Sequence, residues 1–375
     1  MQQLLTEIHK ARHEEFKAFA AAEVEPAAGE WDKTERLSRE VLTALGSRGY
    51  LGATIAPEYG GRGWDAVTFG LLNEALGRGS SALTGVVTVQ AMVAMTLQKW
   101  GSAAQKSEWL PRLACGEATG AIALTEPGGG SDLQALTTAF TKTAEGTLSI
   151  KGTKRWISCA QFADVFLVFG KLDAKPAACL VPRATSGLDI DPITDLMGFR
   201  AAGLAALVFR DAEVPAANLV GKPGFALSHV APVALQYGRL STAWSAMGLL
   251  RGCFEESIAH AATRKIDGLG MIRTLIARMG TDLEAGGLLC HAACRAQDER
   301  LPDAFEKALM AKYFASRAAV RAASDAVQIR GASGCHAASP VSRYYRDAKI
   351  MEIIEGTTQV HEDLLGRLFL DRRFD

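Results

Sequence analysis

The chain has 375 residues, 48% of them hydrophobic, with 41 basic and 41 acidic side chains and a formal charge of zero. With both signs interspersed there is no net field to gather nucleic acid or an anionic membrane surface, so neither is an expected partner. Such a length can bury a core divided among two or three domains, and seven cysteines without paired spacing fit a reduced, cytoplasmic protein better than a disulfide framework.

The opening segment, Met1-Gln2-Gln3-Leu4-Leu5-Thr6-Glu7, lacks the apolar run and small-residue cleavage site of an export signal. Residues 1–117 read as a helical domain. Leu4, Ile8, Phe16 and Phe19, then Leu37, Val41, Leu42 and Leu45, recur near helical spacing, with Pro26, Gly29 and the loop from Pro57 to Gly63 as separators. Ser80 to Gln98 is the longest uncharged stretch, but Ser, Thr, Gln and Gly dilute it, so it reads as a buried helix beside an internal cavity and not as a membrane span. Residues 118–225 change texture to a middle β domain, with strands expected at 120–125, Thr147–Ile150, Val165–Phe169 and Ala177–Val181 between Gly152, Gly170 and Pro176. Residues 226–375 return to helical periods over 228–264, 269–297, 302–330 and 341–370, whose short connections predict a four-helix bundle. Cys290 and Cys294 lie one turn apart around His291, but no second Cys/His pair completes a tetrahedral set, so they are expected to pack a helix and no metal site is expected.

Chemistry concentrates in a few segments. Leu124-Thr125-Glu126-Pro127-Gly128-Gly129-Gly130-Ser131-Asp132 carries a glycine run whose backbone can approach an anion, flanked by the hydroxyls of Thr125 and Ser131; without a βαβ context it reads equally well as a simple loop. Trp156 and Ser158 are two residues apart on an expected strand, so an aromatic face and a hydroxyl would share one side, with a core tryptophan beside a surface serine as the plainer alternative. Glu355 follows Ile353-Ile354 and precedes Gly356-Thr357-Thr358, a helix start; in an apolar setting its pKa would rise into the range of a general base, the alternative being a first-turn glutamate on a helix dipole. Arg239 and Arg343-Tyr344-Tyr345-Arg346-Asp347 complete the candidate buried charges, Arg346–Asp347 reading as a structural ion pair.

Four segments, Ala123 to Asp132, Gly152 to Ser158, Val214 to Gly221 and Tyr344 to Thr357, occur in the order and at the separations found in the acyl-CoA dehydrogenase family, which the chain resembles over nearly its whole length. The resemblance implies a mainly α fold with a central β domain: an N-terminal helical domain, a β-barrel-like middle domain and a C-terminal four-helix bundle. It also implies FAD between the β domain and the bundle, partly across the interface of a homodimer or homotetramer. The positions matching flavin contacts are Leu124, Thr125, Ser131, Trp156, Ser158, Arg264, Gln328, Gly331, Thr357 and Gln359. Those matching substrate contacts are Ser131, Arg239 and Gly356, and Glu355 matches the base that removes an α proton while hydride passes to flavin N5. Some relatives take the base from the position before Arg239, which here is Gly238.

The chain departs from the family at Arg264-Lys265-Ile266-Asp267-Gly268-Leu269-Gly270, at Gln328-Ile329-Arg330-Gly331-Ala332 and at Gln236, where the family has Arg-x-x-Phe-Gly, Gly-Gly and often Asp. The first two alter the implied grip on FAD, and the third alters recognition of the substrate's carrier. Met351 to Gly356 and Tyr237 to Trp244 resemble dehydrogenases of polyketide and nonribosomal peptide pathways. The expected substrate is therefore a short acyl thioester of coenzyme A or of an acyl carrier protein, or a hydroxyacyl or aminoacyl group on a carrier, with an electron-accepting flavoprotein or other acceptor. A flavin oxidase on the same fold and a non-enzymatic helical scaffold are the competing readings.

Overall fold

Polar residues with extended backbones start the N-terminal helices: Thr6, Ser38, Asp65, Ser80 and Ser102 each accept a hydrogen bond from a backbone N–H of the following turn. Such a cap contributes about 1 kcal/mol. In the computed structural model, which describes residues 1–371, they precede α1 (Glu7–Phe19), α3 (Arg39–Ser47), α4 (Ala66–Gly79), α5 (Ser81–Trp100) and α6 (Ala103–Cys115), with α2 at Ala28–Thr34. Residues 372–375, the end of the third expected domain, lie outside the described residues. The apolar stripe of α1 is rotated from the expected one. Ile8 is exposed, whereas His9, His13, Phe16 and Phe19 point inward, because His9 Nε2 meets Asp65 Oδ2 at 3.0 Å and His13 Nε2 meets Glu74 Oε2 at 3.2 Å. Gly29 lies inside α2 and does not separate helices.

Helix α5 is apolar and long enough by composition to cross a membrane, yet it is mostly buried within the protein, which fits the expected core helix. Gln90 ties it to the sheet, donating to Leu113 O and Ala118 O and accepting from Gly120 N at 2.8 Å.

The middle segment is a curled seven-stranded sheet: β1 (Gly120–Ala123), β2 (Ala139–Lys142), β3 (Thr147–Ile157), β4 (Val165–Leu172), β5 (Lys175–Pro182), β6 (Leu188–Pro192) and β7 (Ala205–Pro215). The order is β1-β4-β2-β3-β7-β6, with β5 antiparallel to β4. β1 runs parallel to β4, Gly120 opposite Val165. The buried, β-branched and aromatic run of β4 marks it as the strand covered on both faces.

Three long helices follow, α7 (Ala231–Arg264), α8 (Gly270–Asp298) and α9 (Ala304–Arg330), packed against one another. Their expected role for Cys290 and Cys294 holds: both are buried in α8, and Cys294 Sγ lies 3.1 Å from the indole Nε1 of Trp244. The expected fourth period at 341–370 is two helices, α10 (Pro340–Met351) and α11 (Thr358–Asp371). Between them Glu355 and Gly356 take φ of 55° and 98°, left-handed values that no α-helix continues through. Arg346 does not pair with Asp347: it forks onto Asp32, while Asp347 accepts from Phe199 N at 2.7 Å.

Candidate active site

A cavity of about 540 Å³ opens where the end of β1, the bulged end of β3, α5, α7 and the α10–α11 turn converge. Its lining includes Leu124, Thr125, Ser131, Trp156, Ser158, Arg239, Glu355, Gly356 and Thr357, so the structure gathers residues separated by up to 233 positions into one wall.

Glu355 owes its place to the strained turn. A non-glycine residue at positive φ costs roughly 1 kcal/mol or more, so packing must hold it there. Lys312 of α9 does so: buried, it donates from Nζ to Gly356 O at 2.6 Å. Gly238 of α7 makes the room, since a Cβ there would collide with Glu355 Oε2. That oxygen is buried without a hydrogen-bond partner. Burial pushes the Glu355 carboxyl up to about 7, offset only in part by the Arg239 guanidinium and by Lys312, whose own amine burial draws down to about 7. Arg239 is itself buried, packs over the Phe305 ring and leaves Nε unpartnered. The Glu355 N–H donates to no group among the described residues and is free for a ligand. Gly356 lies against the His361 ring, which burial holds neutral, its pKa drawn down to about 3.

The opposite wall is anchored by a residue that sequence reasoning passed over. Glu126 is buried and accepts from the N–H and hydroxyl groups of both Thr137 and Thr138, and from Lys154 Nζ at 2.7 Å. Burial alone would raise its pKa, but Lys154, Thr137 and Thr138 outweigh it and hold the carboxyl down to about 2. Lys154 also donates to Leu124 O, so the start of the glycine loop is fixed to β3. Beyond this anchor Gly128 and Gly129 border open space, and the Thr125 and Ser131 hydroxyls make no hydrogen bond among the described residues.

Trp156 and Ser158 both face the cavity, but not through strand alternation. The β3–β7 register shifts between Lys154 and Ile157, Trp156 has φ of 62°, and Ser158 lies in the following turn. Trp156 is 48% exposed, which removes the core-tryptophan reading, and Arg155 stacks 4.8 Å over its ring. Bulges commonly re-aim side chains in this manner.

Four expected site residues stay outside this wall. Gln359 is exposed on α11. Arg264, Gln328 and Gly331 are exposed at the C-terminal ends of α7 and α9, which lie together, since Arg330 of α9 donates to Glu256 Oε2 of α7 at 2.5 Å. Sequence reasoning missed Lys312 and the hydroxyls of Thr84, Thr88, Thr242 and Ser245, which line the cavity from α5 and α7; a lone helical threonine carries no sequence signal.

Three family models match the chain in order: "Acyl-CoA dehydrogenase, N-terminal domain" over residues 6–117, "middle domain" over 121–212 and "C-terminal domain" over 228–370. The short-chain specific acyl-CoA dehydrogenase of rat mitochondria is 32% identical over 367 residues, covering 95% of this chain and 88% of its own. Among solved structures, FkbI, described as serving biosynthesis of the methoxymalonyl extender unit of a polyketide, has a TM-score of 0.88 and 32% identity, covering 96% of this chain and 100% of its own. Glutaryl-CoA dehydrogenase of Mycobacterium smegmatis, solved with FADH2, has a TM-score of 0.94 and 26% identity, covering 100% of this chain and 98% of its own.

Proposed function

The chain belongs to the acyl-CoA dehydrogenase family of FAD-dependent oxidoreductases, and from that premise we propose that it dehydrogenates a short acyl thioester with Glu355 as the base that takes the α proton. The observation that carries this reading is the buried, unpartnered Glu355 Oε2 facing a cavity whose other wall is a half-exposed tryptophan among free hydroxyls.

The residues present fit FAD. A flat ring system has Trp156 to lie against, and polar edges have Thr125, Ser131, Ser158 and Thr357, with the Leu124 backbone beside them. When bound, FAD supplies the acceptor for the hydride that leaves the β carbon. The protein's part is alignment and proton removal. The free Glu355 N–H polarises the thioester carbonyl, which acidifies the α C–H, and the Glu355 carboxylate accepts that proton at a pKa close to working pH. Gly356 lies along the same edge, and Arg239 and Lys312 keep the carboxylate ionisable in a dry setting. We take Arg264, Gln328, Gly331 and Gln359 as further cofactor contacts, Arg264 reaching the cofactor across the interface of a homodimer or homotetramer. We divide the chain into domains at 1–117, 118–225 and 226–375, the last a four-helix bundle when α10 and α11 count as one broken helix. The setting is cytoplasmic, and an electron-accepting flavoprotein is the expected acceptor.

The test is anaerobic bleaching of the FAD absorbance by matched short acyl groups on coenzyme A and on an acyl carrier protein. Bleaching by either supports the reading, the handle that works identifies the carrier, and no bleaching by any acyl thioester overturns it. The pH dependence follows from Glu355. Below its raised pKa the carboxyl is already protonated and is too weak a base to take the α proton, so kcat/KM should rise tenfold per pH unit and level off near pH 7; a flat profile between pH 5 and 8 would remove Glu355 as the base. Trp156→Ala is expected to weaken FAD retention through gel filtration and to change the fluorescence of the bound flavin, whereas an unaltered bound-flavin spectrum counts against ring contact.

A further inference from the structure

We propose that the acyl group accepted here carries a neutral hydroxyl about two carbons beyond the one Glu355 deprotonates, held between Thr88 and Thr242; this deepens the dehydrogenase reading above and rests on it. Helices α5 and α7 form opposing rows along the cavity. Met92 faces Gly238, and a Cβ on that glycine would stand 3.1 Å from Met92 Cε. Farther along, Thr84 Oγ1 and Ser245 Oγ are 2.7 Å apart. Thr88 lies one turn from both Thr84 and Met92, and Thr242 lies one turn beyond Gly238 and just under one before Ser245, so the two threonines share the tier between. That tier is about 6 Å from the level of Gly238 and the Glu355 carboxylate. A hydroxyl on the γ carbon, three bonds from the α carbon, covers this distance together with one hydrogen bond.

The threonines are built to receive something. Thr88 and Thr242 are 7% and 3% exposed, line the cavity and make no hydrogen bond among the described residues. Their neighbours behave differently: Thr96 donates to Met92 O, Ser241 to Gly238 O and Thr84 to Ser81 O, the helical habit of hydroxyls without a ligand. Because Thr84 spends its proton on Ser81 O, Ser245 is the donor in their pair and its own oxygen remains an acceptor. A plain hydrocarbon chain would strip these hydroxyls of water and leave them unpaired, a cost that a hydroxyl on the acyl group avoids. A charged substituent is also disfavoured: the titratable residues of the lining are Glu126, held by its own lysine, and Arg239 and Glu355 at the deprotonation level, so the tier of the two threonines offers no counter-ion. Val89, Met92 and Ile354 supply the apolar wall for the connecting carbons.

The experiment compares butyryl and 4-hydroxybutyryl thioesters, on coenzyme A and on carrier protein, by titration calorimetry with FAD-loaded Glu355→Gln protein, which binds without turnover. The expected result is tighter binding of the hydroxylated thioester by about tenfold or more. Thr88→Val/Thr242→Val, which keeps side-chain shape, should abolish that preference, and Thr88→Ser/Thr242→Ser should keep it. Equal or tighter binding of the butyryl thioester, or a preference unchanged in the valine variant, overturns the proposal. Failure of every thioester to bleach wild-type FAD overturns the dehydrogenase reading instead, which keeps the two failures apart.

Discussion

Glu355→Gln is expected to retain FAD and lose about a thousand-fold or more in the rate of substrate-dependent bleaching. A positioned general base contributes about 10²–10⁴-fold, and among the described residues no second carboxylate of the cavity lining is free to replace it, because Glu126 is committed to Lys154, Thr137 and Thr138. The same substitution carries a stability signature of opposite sign. The folded state raises the Glu355 pKa from its ordinary 4.5 to about 7, so between these values the folded protein binds the proton more tightly than the unfolded chain, and stability falls as pH rises. At pH 8 the buried charge costs the substrate-free protein up to about 3 kcal/mol. Glutamine removes that cost, so the variant should melt at a higher temperature than wild type at pH 8 and at nearly the same temperature at pH 4.5. Full bleaching by the variant would refute the role of Glu355; equal melting temperatures at pH 8 would refute the burial of its charge.

The parts of the site that the sequence made legible are those written locally. The glycine run with Thr125 and Ser131, the Trp156-Ile157-Ser158 tripeptide and the Glu355-Gly356-Thr357 turn each carry their own backbone punctuation, and all reach one cavity. What stayed hidden depends on packing between distant segments. The Glu355 turn is marked locally, but what holds it, the grip of Lys312 on Gly356 O across 44 positions, is not. The inward turn of α1 follows from carboxylates at Asp65 and Glu74 that make His9 and His13 good interior residues, against the pull of Ile8. Strand alternation put Trp156 and Ser158 on one face for the wrong reason, since a bulge and a left-handed tryptophan aim them. Arg346 looked paired with its neighbour Asp347, but adjacent helical residues point apart, and Asp32 on α2 is the partner. In each case a short-range rule was overruled by a long-range electrostatic or steric partner.

Gly238→Ala separates shape from stability at the base. By helix propensity the change is favourable by about 0.8 kcal/mol, since alanine loses less backbone freedom than glycine inside α7. Its Cβ, however, would occupy the space of Glu355 Oε2 and touch Met92 Cε at 3.1 Å. Oε2 is the end of a flexible side chain and methionine adapts readily, so the fold accommodates the methyl group by moving the carboxylate rather than by unfolding. A displacement of about 1 Å at the reacting atom costs on the order of 100-fold in rate. The expected outcome is therefore a melting temperature within a few degrees of wild type, normal FAD content, and kcat for anaerobic bleaching lower by about two orders of magnitude. Wild-type kcat would mean that the carboxylate works from a position other than the one above Gly238. A collapse of FAD content would mean that Gly238 serves the cofactor and not the base.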